Sequence, residues 1–430
     1  MRSLFNVLVV CLIGCATSAK AELPAATAAS VGMDQAALDR LRAEMAALVK
    51  DGRRAGIVYG VAYKGRIVAL EALGERNREL KLPMERDTAF RIYSQSRAMT
   101  ASATLALVEE GKLSLDDTVA QYIPEIANMK VITRVAGDKV LTEDQKTPMT
   151  VRHLFTYTSG LGYAFHWPKS LGMDQLDILN IEKPIADSIR KLATYPLLMQ
   201  PGAKWHYGFS GDVLGRVAEV AAGQPFDVVL KTRLLDKLGL KKTWFWVSEE
   251  DAKNHRLADV YGAGPDGKTL ENQTATVIPL STYTKPGPLF SAGGGLVSTA
   301  ADYLTFLQML LNDGQLGGVR VLAPATVKAM ISRQTTPEQG LVYWYEKQAA
   351  NAPYRGYAWG LSIGVRPDDA GPNDTNTRAG EVGWAGLAGT YYFINPRHNL
   401  AAVAMSQYQG PDGAVLMETL RRGVYGALKE

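Results

Sequence analysis

The chain has 430 residues, 47% hydrophobic and 21% charged, a composition that excludes a disordered or low-complexity protein and leaves ample core for a large fold. Its formal charge is +4, yet the basic residues are interspersed with acids and form no Lys/Arg run with interleaved aromatics, which argues against a nucleic-acid surface. Both cysteines, Cys11 and Cys15, lie within the first 21 residues, so a chain lacking that segment has no disulfide, no cysteine metal site and no thiol nucleophile.

The N-terminus reads as a targeting segment. Arg2 precedes an apolar stretch from Leu4 to Ile13, and Ala19-Lys20-Ala21 supplies a small-residue cleavage site before Glu22. Leu12-Ile13-Gly14-Cys15 also fits a lipobox in which Cys15 carries a lipid. The stretch is too short to span a bilayer, and no later run approaches the roughly 18 apolar residues of a spanning helix. Either reading makes the protein exported, periplasmic or secreted. Only lipidation at Cys15 would tie it to a membrane.

Met33 to Asp51 carries Leu38, Leu41, Met45 and Leu48 at helical spacing. Gly56–Tyr63 and Ile67–Leu73 read as two strands joined by Lys64-Gly65-Arg66. A helix beginning near Ser94 runs to about Gly111. From there to about residue 275 the pattern is mostly helical with Pro- and Gly-rich connections, including a helix after Thr150 and another from Asp212 to Ala222. Strand-like runs return after Phe290, around a helix from Ala300 to Leu311: Gly293–Ser298, Tyr357–Val365, Thr390–Asn395 and Leu400–Gln407. Asp368 to Gly380 reads as a polar surface loop. The expected division is a targeting segment over 1–21, an α/β region from 22–95 and 276–430, and a mostly helical region over 96–275. One antiparallel sheet built from both ends, flanked by helices and facing the helical region, accounts for the order.

Ser94-Gln95-Ser96-Arg97 carries the chemistry. Serine and a basic residue at i, i+3 share one helix face, as in hydrolases where a Ser-x-x-Lys lysine takes the serine proton. Arginine stays charged above pH 12, so Arg97 is not the base.

The segment from about Gly32 to Gln409 resembles the class C β-lactamase-like serine hydrolases, and most closely their esterase branch, the family VIII carboxylesterases. The resemblance rests on Phe90–Ser94 with Leu107–Asp117, on Thr150–Leu154 through Thr158–Leu161, on Pro201-Gly202 through Trp205-His206-Tyr207 with Asp212–Gly215, on Gly293–Gly295 and on Gly383–Gly386. It implies the β-lactamase/penicillin-binding-protein-like α/β fold, an antiparallel sheet flanked by helices with a large mostly helical insertion. It also implies that Ser94 is the nucleophile, that Arg97 occupies the lysine position, and that Tyr207 is the family's proton-moving tyrosine. Trp384-Ala385-Gly386 falls where β-lactamases have Lys-Thr-Gly, and the backbone N–H groups of Leu387 and Ser94 then form the oxyanion hole. Phe209 stands where β-lactamases have asparagine. Phe209 and Trp384 both favour small neutral esters over β-lactams.

A fixed cation within about 4–6 Å favours the anion of a neighbouring acid. The expectation is therefore that Arg97 supplies charge and Tyr207 acts as base, with activity rising at alkaline pH. Two alternatives stay open: a weak β-lactam or peptide hydrolase, and a non-catalytic protein that binds an acyl ligand in the same pocket. Gly360-Leu361-Ser362-Ile363-Gly364 spells a second hydrolase signature, but Trp359, Leu361, Ile363 and Val365 alternate as a continuous strand, so Ser362 is expected to be structural. His153, His166, His206, His255 and His398 have no metal-binding spacing, and no phosphate-cradling glycine motif is present, so no metal or cofactor is expected. His153 and His206 are expected to pack or hydrogen-bond near the pocket. Trp205, Tyr163, Phe165, His166 and Trp167 are candidates for an aromatic wall. The expected partner is a small ester or acyl substrate.

Overall fold

A computed structural model describes residues 23–174, 179–267, 269–277, 281–340, 354, 356–368 and 377–429. The expected targeting segment with Cys11 and Cys15, and residues 369–376 of the expected polar loop, lie outside the described residues.

The first long helix, α1 (Gln35–Lys50), starts where Asp34 accepts the Ala36 N–H at 2.8 Å, and it buries Leu38, Leu41, Met45 and Leu48. The chain then enters a hairpin of β1 (Gly56–Tyr63) and β2 (Arg66–Asn77), followed by β3 (Leu82–Pro83). The C-terminal part supplies β4 (Ala358–Trp359), β5 (Gly364–Val365), β6 (Val382–Gly386), β7 (Thr390–Asn395) and β8 (Leu400–Met405). Together they form one eight-stranded sheet in the order β4-β5-β6-β7-β8-β1-β2-β3. Every pairing is antiparallel, and Gly60 faces Val403 across the β1–β8 join. Strands β7 and β8 are buried throughout. They therefore read as continuous apolar runs, because both sheet faces are covered.

The faces follow from the side chains of β1. A Cβ at Gly60 would stand 2.6 Å from Leu304, so that face receives α5 (Ala300–Leu311). Tyr59, one residue earlier, lies in the field of Asp39 and Arg42 of α1. That opposite face carries α1 and α6 (Val415–Gly426), which meet where a Cβ at Gly423 would come 2.7 Å from Leu41.

The second layer centres on α2 (Ser96–Glu109), in which every residue from Ser96 to Leu107 is buried. A helix buried all round needs small residues where neighbours approach, and Ala98, Ala101, Ser102, Ala103 and Ala106 provide them. Against it packs α4 (Ser210–Ala222), which ends at a left-handed Gly223, and against α4 in turn packs α3 (Val151–Thr156), capped by Thr150. The helical region also holds two hairpins, Val131–Ala136 with Lys139–Glu143 and Tyr261–Ala263 with Leu270–Asn272.

Two strand expectations are corrected, the first being Gly293–Ser298, of which only Val297–Ser298 is a strand. Tyr357–Val365 is not continuous: β4 and β5 fold back on each other, with Gly360 N–H donating to the Ile363 carbonyl at 2.8 Å and Ser362 at φ +63°. The apolar alternation that suggests a strand packs a tight turn instead. Ser362 is buried, its amide and hydroxyl both directed at the Phe155 carbonyl. It is structural, as expected, though in a turn.

Candidate active site

Ser94 occupies a short 3-10 turn, Tyr93–Gln95, that feeds directly into α2. Tyr93 has φ +41°, a conformation that is costly for a bulky side chain. The surroundings fix it. Ile92 N–H donates to the Leu296 carbonyl at 3.0 Å, Gln95 N–H donates to the Ile92 carbonyl at 2.9 Å, and the Tyr303 hydroxyl donates to the Gln95 carbonyl at 2.8 Å. The turn leaves Ser94 half-buried at the head of the helix.

Arg97 follows one turn later and is only 1% exposed. A buried cation needs acceptors or a counter-charge, and here three tyrosines answer. Nε donates to Tyr207 Oη at 2.7 Å, Nη1 donates to Tyr157 Oη at 2.8 Å, and Nη2 donates to Tyr163 Oη. The guanidinium also lies over the rings of Tyr207 and Tyr157, at 4.6 and 5.3 Å from their centroids. Burial alone weakens its hold on its proton, but the three hydroxyls and the Asp212 carboxylate more than reverse this and raise the Arg97 pKa well above its usual value. The charge is fixed at every working pH.

The space is cut to this side chain. A Cβ at Gly211 would stand 2.8 Å from both Arg97 Nη1 and Tyr157 Oη; one at Gly293 would stand 2.3 Å from Asp212 Oδ2 and 3.0 Å from Arg97 Nη1. Asp212, in the first turn of α4, accepts from Ser291 Oγ at 2.6 Å and from Gly293 N–H at 3.2 Å. Arg97 is therefore seated among partners shaped for it.

Tyr207 is held from two sides. Besides Arg97 Nε, the indole Nε1 of Trp384 donates to its Oη at 2.8 Å. Tyr157 stacks on its ring at 5.3 Å and Trp205 at 5.7 Å. Trp384 is positioned by β6, where its ring meets Trp359 and Tyr354, each at 4.5 Å. The start of β6 is pinned by an ion pair with no exposed side-chain surface, Arg421 Nη2 to Glu381 at 2.6 Å, and the hydroxyls of Tyr357 and Tyr425 also donate to Glu381. At its other end, a Cβ on Gly386 would sit 2.3 Å from the Ile92 carbonyl. The strand thus ends against the Ser94 turn, and Leu387, 58% exposed, comes one residue beyond. Phe209 is buried edge-on to Tyr163, 5.2 Å between ring centres, and brings no polar group.

The structure therefore gathers Ser94, Arg97, Tyr207, Phe209, Trp384 and Gly386 in one place. The aromatic wall divides. Phe165 is 60% exposed beside Tyr163, whereas Trp205 is buried behind Tyr207 and Trp167 is a core residue whose indole donates to the Pro196 carbonyl at 2.6 Å. The sequence reading missed Tyr157 as a site residue, and missed that Tyr163 touches both Arg97 and the hydroxyl of Ser94. Tyr157 lies inside the Thr150–Leu161 stretch; its left-handed φ of +59°, at the C-terminus of α3, turns the ring towards the guanidinium.

His153 accepts from the Thr150 N–H and completes the α3 cap. His166 and His206 meet with ring centres 4.5 Å apart, and burial pushes the pKa of each down to about 4. Unfolded histidines titrate near about 6.5, so below that pH the unfolded chain binds more protons than the folded one. The stability these two rings contribute is complete above about pH 6.5 and is lost as pH falls towards 4. Thermal midpoints recorded from pH 7.5 to 4.5 should fall less steeply in His206→Asn than in the parent.

A serine at the head of a buried helix, a cation one turn on and a tyrosine facing both, set at the end of an antiparallel sheet flanked by helices, define the β-lactamase-like class of serine hydrolase folds. The family model described as Beta-lactamase matches residues 41–425, and the chain belongs to that family. It is 29% identical to "Esterase EstB" of Burkholderia gladioli over 93% of this chain and 99% of that one, and 28% identical to "Lovastatin esterase" of Penicillium rubens over 86% and 93%. Among solved structures it resembles EstCE1, titled a hydrolase with promiscuous acyltransferase activity, with a TM-score of 0.73, 26% identity, and 91% and 99% of the two chains covered. These likenesses place it with the ester hydrolases and acyltransferases of the family.

Proposed function

We propose that the protein is an exported carboxylesterase that cleaves small neutral esters through an acyl-enzyme on Ser94. Tyr207 takes the Ser94 proton, Arg97 supplies fixed charge, and the backbone N–H groups of Ser94 and Leu387 hold the oxyanion. The observation that carries this reading is the pair of N–H donors, Arg97 Nε and Trp384 Nε1, aimed at the single oxygen of Tyr207. The two donors hold this oxygen in position for proton transfer. The lysine that usually serves as base is thereby replaced by a division of labour between a permanent cation and a phenol. Apolar Phe209 and Trp384 near the serine support a neutral ester in preference to a β-lactam carboxylate.

Hydrolysis of p-nitrophenyl acetate from pH 6 to 10 tests the reading. Ser94→Ala should abolish turnover, and Tyr207→Phe should lower it by about 10²- to 10⁴-fold, the usual contribution of a positioned acid–base group. Undiminished turnover in Tyr207→Phe would remove Tyr207 as base. An inert parent that gains activity on Arg97→Lys would identify a silent fold.

A further inference from the structure

A cleft of about 310 Å³ opens beside Trp244 and Trp246, and none of the residues lining it is among those gathered around Ser94. We propose that this cleft is a second binding site, which takes a small organic monoanion: a carboxylate carried on a flat apolar ring.

Burial alternates along residues 243–247: Thr243, Phe245 and Val247 are buried, whereas Trp244 and Trp246 are half-buried. The outward positions of an alternating segment are ordinarily polar, yet both carry indoles here. Backbone bonds fix the segment. Trp244 and Val297 exchange N–H donors at 3.2 and 2.8 Å, and Val247 N–H donates to the Tyr283 carbonyl at 2.8 Å. The two indoles stand at 82° with ring centres 6.0 Å apart, a corner that offers a face and an edge to a third ring. The indole N–H groups of Trp167, Trp359 and Trp384 all donate to protein oxygens. Those of Trp244 and Trp246 have no protein acceptor among the described residues, so both remain available to a ligand.

The sign of the charge follows from the ion pairs around the cleft. Lys242 is matched by Asp251 at 3.0 Å, and Arg256 by Glu85 and by Asp87, the latter at 3.4 Å. Lys241 lines the same cleft and has no acidic partner among the described residues. The lining therefore sets three cations against two carboxylates, Asp87 and Asp251, and a single negative charge restores the balance. A carboxylate meets that need, because a charge-assisted hydrogen bond to an ammonium is about twice as strong as a neutral one. The volume lies at the lower end of small-molecule sites, about 300–1,000 Å³, which suits one or two fused rings.

Calorimetric titration of the full chain with sodium 2-naphthoate, and with neutral 2-naphthamide, tests the site. Naphthoate should bind with a Kd below about 1 mM, and the amide at least about tenfold more weakly. Trp244→Leu and Lys241→Glu should each weaken naphthoate by at least about tenfold. Phe165→Ala, exposed beside Tyr163 in the Ser94 site, should leave its Kd unchanged. Lys241 is exposed, so Lys241→Glu decides the matter even if Trp244→Leu fails to fold. A parent Kd above about 1 mM overturns the site, and equal affinity for acid and amide overturns its charge preference. A Kd that moves in Phe165→Ala but not in Lys241→Glu places the ligand beside Ser94 and overturns the proposal as well.

Discussion

Arg97→Met is expected to lower ester hydrolysis at pH 7 by about 10- to 1,000-fold, because a cation in contact with an acid is worth about 1–3 pK units to its anion. Methionine keeps the length and apolar bulk of the stem, so the loss reports the charge rather than a cavity. If the guanidinium acts through its charge, as proposed, the deficit should shrink as pH rises. A profile from pH 6 to 10 checks this: a loss of the same factor at every pH would mean that Arg97 acts only by positioning the three tyrosines. Arg97→Met also takes a donor from three tyrosine hydroxyls, of which that of Tyr157 is fully buried, so its stability should be recorded alongside its rate.

Glu381→Ala is expected to destabilise the fold by about 3–5 kcal/mol, the usual cost of stranding one member of a buried ion pair. Its partner Arg421 has no exposed side-chain surface, so the uncompensated cation cannot turn to solvent. Two tyrosine hydroxyls lose their acceptor in the same change. Urea unfolding measures the difference; a shift below about 1 kcal/mol, the range of an exposed pair, would show that solvent reaches the site. Because Glu381 immediately precedes the strand that carries Trp384, the variant should also lose activity in proportion to how far the indole drifts from Tyr207.

Ser94 and Arg97 are legible in the sequence because helical spacing converts i, i+3 into a shared face. Tyr207 and Trp384 are legible only through the order of motifs along the chain. The convergence on Arg97 of hydroxyls from residues 157, 163 and 207 has no local signature, since the two connections that carry them meet there only after α2 and α4 have packed. Gly211 and Gly293 are similarly opaque: the sequence shows two glycines, and the structure shows that they make room for a guanidinium. The error at Tyr357–Val365 has a different cause. A two-residue alternation describes a strand and a tight apolar turn equally well, and the left-handed Ser362 decides between them.

The position of β1 has a consequence for how the chain is made. Its hairpin partner β2 follows immediately, but its other neighbour, β8, begins at Leu400. A growing chain therefore carries the wholly apolar face of Gly56–Tyr63 with one edge unpaired until nearly all of it has been synthesised. Closing so distant a pair is slow compared with local helix formation, and an open edge recruits strands from other molecules. A ribosomal product that stops short of Leu400 is left with a permanent adhesive edge, so for this fold an incomplete translation product is a seed for aggregation rather than a smaller enzyme.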